Sequence, residues 1–237
     1  MTRAVEARGL RHRFGRTVAL DGVDLTLEPG EIAGYVGPNG SGKTTTMRAL
    51  LGLLHLDEGE LRIFGHDVRT GMAVIGPLLG AVFDRHALHP HLTVRETLVL
   101  YARLYRAPRA RVDEVLDAVR LRDRAGSLVK TLSKGLSQRL AFGRAILHRP
   151  KLLLLDEPFD GIDAETLRDL RALLRGLAGE GTAILLASHD LHEVEQLATQ
   201  VVILRRGSVV AEGRPSQLVR GFGTLEAAYF AHLQEAR

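Results

Sequence analysis

The sequence predicts an α/β fold in which antiparallel strands come first, a buried parallel sheet forms the core, and a helical stretch interrupts it. Three observations lead there. The short uninterrupted apolar runs Ile32 to Val36, Leu152 to Leu155 and Ala183 to Ala187 have the length and composition of strands covered on both faces. The stretch ahead of them alternates apolar with polar residues, as half-exposed antiparallel strands do. Between about Asp84 and Pro150 the apolar spacing becomes helical.

Taken in order, Val5 to Leu10 and Val18 to Leu27 read as strands, with turns at Asp21-Gly22 and Glu28-Pro29-Gly30. Ile32 to Val36 follows. A helix beginning near Thr44 carries Met47, Leu50, Leu51 and Leu54 toward a core, and a hairpin is expected around Gly59 and Gly65. Thr93-Val94-Arg95-Glu96 is a capping box, in which each end of the first turn satisfies the other's free amide, and it opens a helix with Leu98, Tyr101 and Tyr105 on one face. Leu167, Leu170, Leu173, Leu174 and Leu177 recur at helical spacing between two buried runs, which makes a strand, helix, strand unit with a right-handed crossover. Val201 to Leu204 and Ser208 to Ala211 form a hairpin turning at Arg206-Gly207, and a short helical tail starts at Pro215. The expected organisation is one domain over residues 1–237, with a core of about 1–83 and 150–237 and a helical subdomain of about 84–149.

Composition limits the class of function. With 237 residues the chain is long enough for a sizeable core, and with no cysteine it has no disulfide scaffold. Met1 to Gly9 has no signal-peptide core, and no apolar run approaches the roughly 20 residues of a spanning helix; the chain is expected to be soluble. The net charge of +4 comes from basic residues scattered along the chain, and aromatics are few, so neither a nucleic-acid patch nor a base-stacking platform for single strands is expected.

Gly37-Pro38-Asn39-Gly40-Ser41-Gly42-Lys43-Thr44 matches G-x-x-x-x-G-K-[ST] between a strand and a helix. Glycines let the backbone wrap a triphosphate so that successive amides and the positive helix end face its oxygens. Lys43 adds a point charge on the outer phosphates, the Thr44 hydroxyl suits a magnesium ion, and Thr45 stands beside it. Asp156-Glu157 closes the Leu152 to Leu155 run, which places both carboxylates at the carboxyl edge of the sheet, where open α/β folds bind ligands. Asp156 is suited to holding magnesium through a water, and Glu157 to orienting and deprotonating a water aimed at the γ-phosphate. His189 ends the Ala183 to Ala187 run at the same edge, within reach of that phosphate. Leu132-Ser133-Lys134-Gly135-Leu136-Ser137-Gln138-Arg139 sets a serine and a glycine at a helix start, a second place able to bind phosphate.

Over nearly its whole length this arrangement resembles the ATP-binding cassette (ABC) family, and within it the nucleotide-binding subunit of a bacterial transporter. The resemblance implies a P-loop NTPase (RecA-like) core, ATP and Mg2+ as ligands, and ATP hydrolysis coupled to transport. Residues 37–45 correspond to Walker A and Leu152 to Glu157 to Walker B. Residues 132–139 correspond to the signature, whose Ser133, Gly135 and Gln138 would serve the nucleotide of the opposite subunit in a head-to-tail dimer. The resemblance also implies adenine stacking on Phe14 and a dimer-interface role for Asp163 within Asp160-Gly161-Ile162-Asp163. Partners implied are a second ATPase subunit, identical or similar, and integral membrane permease subunits, with the chain on the cytoplasmic face of the cell membrane. Three positions depart from the family pattern: Asp84 stands where a magnesium-contacting glutamine is usual, Lys134 replaces a glycine, and Leu136 replaces a glutamine. Asp84 keeps an oxygen ligand but adds charge and shortens reach, so the magnesium dependence of hydrolysis is expected to change in Asp84→Gln. A soluble ABC ATPase acting on ribosomes or nucleic acid is the alternative reading, disfavoured because those members join two cassettes or insert long coiled coils. A small-molecule kinase is disfavoured because it has no use for a signature. The Gly223-Thr224-Leu225-Glu226 tail is similar to those of exporters of drugs, lipids or polysaccharides.

Overall fold

The computed structural model describes residues 2–83 and 88–235. Asp84 therefore lies outside the described residues. The alternating first segment folds as Val5–Phe14 (β1) and Thr17–Leu27 (β2), antiparallel and joined at Gly15-Arg16. The dipeptide Asp21-Gly22, expected as a turn, lies inside β2 instead. Gly22 is the extra residue between the Leu10↔Val23 and Arg11↔Asp21 pairs, with φ +77°. A glycine with positive φ serves a bulge as well as a turn, and the apolar alternation on either side decided for the bulge.

Ile32–Val36 (β3) leads into the helix Lys43–Leu50 (α1), and Glu58–Ile63 (β4) and His66–Asp67 (β5) form the next hairpin. Its turn is Phe64-Gly65, both at positive φ, and Gly59 is a strand residue whose missing Cβ lets the backbone of Arg8-Gly9 approach. Val68–Ile75 (α2) and Leu79–Val82 (β6) follow, then the helices Val94–Leu104 (α3), Ala110–Ala118 (α4) and Lys134–Ile146 (α5). Leu152–Asp156 (β7), Ala164–Gly179 (α6), Ala183–Ser188 (β8) and Leu191–Leu197 (α7) make up the next stretch. The chain closes with Gln200–Arg205 (β9), Ser208–Gly213 (β10), Pro215–Leu218 (α8) and Leu225–Glu235 (α9).

Two sheets result, one ordered β2-β1-β4-β5 and antiparallel, the other ordered β10-β9-β3-β8-β7-β6. In the second, β9, β3, β8, β7 and β6 run parallel and β10 is antiparallel to β9. Its central strands β3, β8 and β7 are buried on both faces, as their unbroken apolar runs require, while the edge strand β10 is only partly covered. The strand period divides them between two cores. Leu153, Leu155, Ile184 and Leu186 join α3 to α7, while Leu152, Leu154, Leu185 and Ala187 join α1 and the antiparallel sheet. Because β3, β8 and β7 are neighbours, their carboxyl ends lie side by side.

The capping box forms as expected: the Glu96 amide donates to Thr93 Oγ1 at 3.1 Å and the Thr93 amide to Glu96 Oε2 at 2.8 Å. Of the face expected to be apolar, Leu98 is fully buried, whereas Tyr105 is half-exposed and stacks on His148 with ring centroids 4.0 Å apart. In α6, Leu170 and Leu174 are buried and Leu167, Leu173 and Leu177 partly so. Among the described residues, no helix is long and apolar enough to cross a membrane.

Candidate nucleotide site

The loop between β3 and α1 is glycine-rich for a steric reason. A Cβ on Gly37 would lie 2.5 Å from the Leu204 carbonyl oxygen and the same from Ser41 Oγ, and one on Gly42, which has φ +111°, 2.8 Å from the Ala19 carbonyl oxygen. Side chains at these positions would drive the loop off its supports. Lys43 Nζ donates to the carbonyl oxygens of Gly37 at 2.6 Å and Pro38 at 3.5 Å. Burial pushes the Lys43 ammonium below its ordinary pKa, with the carboxylates of Glu157 and Asp156 pulling the other way. Both acids thus act on the lysine from across the sheet edge.

Thr44 Oγ1 donates to Asp156 Oδ2 at 3.0 Å, joining positions 112 apart in the sequence. Asp156 ends β7 and is nearly buried. Glu157 follows in the left-handed region, φ +48°, with its amide donating to the Ala187 carbonyl oxygen at 2.9 Å, and this turn brings its carboxylate over the end of β8. There Glu157 Oε2 accepts from the His189 amide at 3.2 Å and lies 2.8 Å from His189 Nδ1. Of the three side chains predicted at strand ends, Asp156 bonds to Thr44, Glu157 lines the same cleft as the loop, and His189 lies outside that lining and is joined to it through Glu157.

Phe14 is 49% exposed at the end of β1, and its ring meets the buried His12 edge to face, centroids 4.5 Å apart. The local signal for His12 is weak, a place two residues from Phe14 on the same face of the strand. A cleft of about 450 Å³ is lined by Phe14, residues 17–19 and 39–45, Asp156 and Glu157. A larger cleft of about 770 Å³, with Arg111, Arg149 and Lys151 on its wall, lies elsewhere and gathers none of these groups. The smaller one is the candidate site, since it joins an aromatic face to an anion cradle and two carboxylates.

The donor set fits magnesium. Thr44 and Asp156 offer hard oxygens in contact with each other. Magnesium ordinarily binds through one or two protein oxygens together with phosphate oxygens and water, which is the kind of site these two residues would offer.

Ser133, Gly135, Gln138 and Asp163 do not line this cleft. Ser133 caps α5, its Oγ accepting from the Leu136 amide at 3.3 Å. A Cβ on Gly135 would stand 2.8 Å from Asp163 Oδ2, Gln138 Nε2 donates to the Pro158 carbonyl oxygen at 2.6 Å, and Lys134 Nζ lies 3.0 Å from Asp160 Oδ2. Asp163 caps α6, and its bond from the Thr166 amide holds its carboxyl below the usual carboxylate range. Beneath them Arg139 pairs with Asp169 at 2.8 Å, both side chains 8% exposed, a tie with no local sequence signal because 30 positions separate the two.

A glycine loop at a helix start, a lysine within it and a threonine bonded to a strand-end aspartate define a P-loop nucleoside triphosphatase. The model of the ABC transporter family matches residues 20–160. The chain is 40% identical to the ABC transporter ATP-binding protein YdbJ of Bacillus subtilis (strain 168) over 86% of this chain and 67% of that protein. It is 36% identical to the daunorubicin/doxorubicin resistance ATP-binding protein DrrA of Streptomyces peucetius, over 94% of this chain and 69% of the relative. The Nod factor export ATP-binding protein I of Paraburkholderia xenovorans (strain LB400) is 35% identical, over 91% and 72%. A solved structure described as the ATP binding subunit of an ABC transporter superposes with a TM-score of 0.89 at 28% identity, covering 97% of this chain and 99% of that one. The chain belongs to the ABC transporter family as an ATP-binding subunit, the part that hydrolyses ATP to power transport.

Proposed function

We propose that this chain binds MgATP in the Phe14-to-Glu157 cleft and hydrolyses it in a head-to-tail dimer that drives export through separate membrane permease subunits. One observation carries the reading: Lys43, Thr44, Asp156 and Glu157 line one cleft, while the helix start at Ser133, whose serine and glycine are the proposed second phosphate contact, lines no part of it. A second copy, or a similar subunit, bringing its signature to the first copy's nucleotide makes each half complete.

In this reading Phe14 stacks on adenine, the amides of residues 37–45 and the Lys43 ammonium hold the triphosphate, and Thr44 ligates magnesium directly while Asp156 does so through a water. Magnesium, when bound, neutralises the charge on the outer phosphate oxygens. Asp84 is assigned as a further ligand from its sequence position alone. Glu157, oriented by its bond to His189 Nδ1, aligns a water and takes its proton as the water oxygen attacks the γ-phosphorus and the bond to ADP breaks. His189 donates to the γ-phosphate. Ser133, Gly135 and Gln138 of the opposite subunit grip the same nucleotide, and Asp163 links the two sites. Losing the γ-phosphate removes the bridge, and the dimer reopens.

Residues of about 84–149 are proposed as the helical subdomain that meets the permease, inserted between core segments 1–83 and 150–237, with the chain peripheral on the cytoplasmic face of the membrane. Export is favoured by relatives named for drug resistance and Nod factor export. In Glu157→Gln, ATP with magnesium should drive the protein to twice its monomer mass in gel filtration while ATPase activity falls by a factor on the order of 10²–10⁴. Adding Ser133→Arg should return it to monomer mass. Normal turnover by Glu157→Gln would remove the assigned base, and a dimer indifferent to Ser133→Arg would remove the head-to-tail arrangement.

A further inference from the structure

Several short backbone contacts meet where the β1–β2 hairpin abuts the phosphate loop, and they converge on a residue with no part in the reading above. Gly207 is the second residue of the β9–β10 turn, at φ +85° after Arg206 at φ +46°. Its amide donates to the Ser41 carbonyl oxygen at 3.0 Å, and its own carbonyl oxygen accepts from the Asp21 amide at 2.7 Å. Ser208 Oγ donates to the Asp21 carbonyl oxygen at 3.0 Å. One turn therefore bonds to the phosphate loop on one side and to β2 on the other.

The fit admits no side chain. A Cβ on Gly207 would stand 2.9 Å from the Ala19 carbonyl oxygen and 3.1 Å from both Ala19 C and Leu20 Cα. All three are backbone atoms of the hairpin, so relief requires the hairpin to move, and the positive φ disfavours any L side chain in addition. Ala19 is itself the extra residue between the His12↔Leu20 and Arg13↔Val18 pairs, a bulge that breaks the ladder beside the phosphate loop. Its carbonyl oxygen is the atom that a Cβ on Gly42 would also meet.

We propose that Gly207 is a positioning residue for the nucleotide: with Ser208 it clasps the hairpin to the phosphate loop and so sets the separation between the base platform at Phe14 and the triphosphate cradle. The chemistry makes that separation matter. Base and triphosphate are joined through a ribose of fixed dimensions, whereas platform and cradle belong to different sheets, so a displaced hairpin loses the base while the phosphates stay held. This inference rests on Phe14 being the adenine platform.

The test compares magnesium-dependent affinities for ATP and for inorganic tripolyphosphate, which has no base, in Gly207→Ala, Ser208→Ala and Phe14→Ala. Gly207→Ala should weaken ATP about tenfold and leave tripolyphosphate within about twofold, since a misplacement near 1 Å has effects of this order or larger. Ser208→Ala, which keeps the glycine, should show a smaller loss of the same selectivity. A folded Gly207→Ala that binds ATP normally, or loses both ligands equally, overturns the clasp. If Gly207→Ala does not fold, an unchanged ratio in Ser208→Ala overturns it instead. Phe14→Ala separates the two levels. If it leaves the ratio unchanged, the platform itself is wrong and the clasp falls with it; if it lowers the ratio while the other two variants do not, the platform stands and the clasp alone fails.

Discussion

At the carboxyl edge of the parallel sheet, candidate site side chains from distant parts of the chain bond to one another: Thr44 to Asp156, and Glu157 to His189. Around Ser133 the bonding is of another kind. Lys134, Gln138 and Arg139 are tied to the single stretch from Pro158 to Asp169, while the Ser133 hydroxyl caps its own helix. The first region is a preassembled cleft in which each group has its neighbour within the protomer. The second is a surface held rigidly from behind. The contrast teaches that the cleft is assembled by bonds between distant strand ends, whereas the Ser133 helix start is fixed by a neighbouring segment and lines no part of that cleft; the proposed two-copy arrangement is what would bring them together.

The comparison can be broken most forcefully at the anchor. Asp169→Ala would leave the buried Arg139 without its carboxylate, keeping only the longer bonds to Thr166 Oγ1 at 3.4 Å and the Val119 carbonyl oxygen at 3.5 Å, and losing one member of a buried ion pair costs about 3–5 kcal/mol. Urea denaturation should show that loss, and the protein still folded should bind tripolyphosphate normally; weakened binding would mean the two regions are not independent. Next comes Lys43→Ala. Removing a charged hydrogen-bond donor should weaken ATP binding by about 1.5–3 kcal/mol, read by calorimetry. The nucleotide-free melting point, however, should stay level or rise. The folded pKa of Lys43 is depressed, so the protonated lysine disfavours the fold; that penalty is complete below the folded pKa and fades as pH rises toward the ordinary 10.5. A clear fall in melting point would show that the bonds to Gly37 and Pro38 outweigh burial. The smallest effect is expected for Ser133→Ala, where the lost cap costs about 1 kcal/mol. Its ATP affinity as a monomer should be unaltered while steady-state ATPase activity drops, and a parallel fall in monomer affinity would place Ser133 at its own chain's nucleotide.

Much of this was legible in the residues. The glycines of the phosphate loop, the Thr93 capping box, the serine cap at residue 133 and the three unbroken apolar strands all stand where their sequence signals put them. Other elements gave no clear signal. Strand β6 is four residues long and carries Gly80, present because a Cβ there would lie 2.5 Å from the Ala145 carbonyl oxygen of α5; the reason for the residue lies in a helix some sixty positions away. Helices α2 and α7 are too short to show a clear apolar period, although Asp67 and Asp190 cap them by accepting from the amides of Arg69 and Glu193. The Asp21-Gly22 pair carried an ambiguous signal, since turns and bulges ask for the same backbone freedom.

The sequence by itself determined what depends on neighbours within a turn or a strand repeat: the periodicities, the caps, the glycine loop and the residue types able to hold a triphosphate. Those signals arise from steric and hydrogen-bonding requirements spanning about four residues, so they are written in contiguous text. Only the tertiary structure decided that β8 lies between β3 and β7, that Glu157 reaches His189, that Gly207 sits between hairpin and cradle, and that Ser133 stays apart from Lys43. Strand order and close backbone approach follow from how whole faces bury one another, a property of residues that no local pattern brings together.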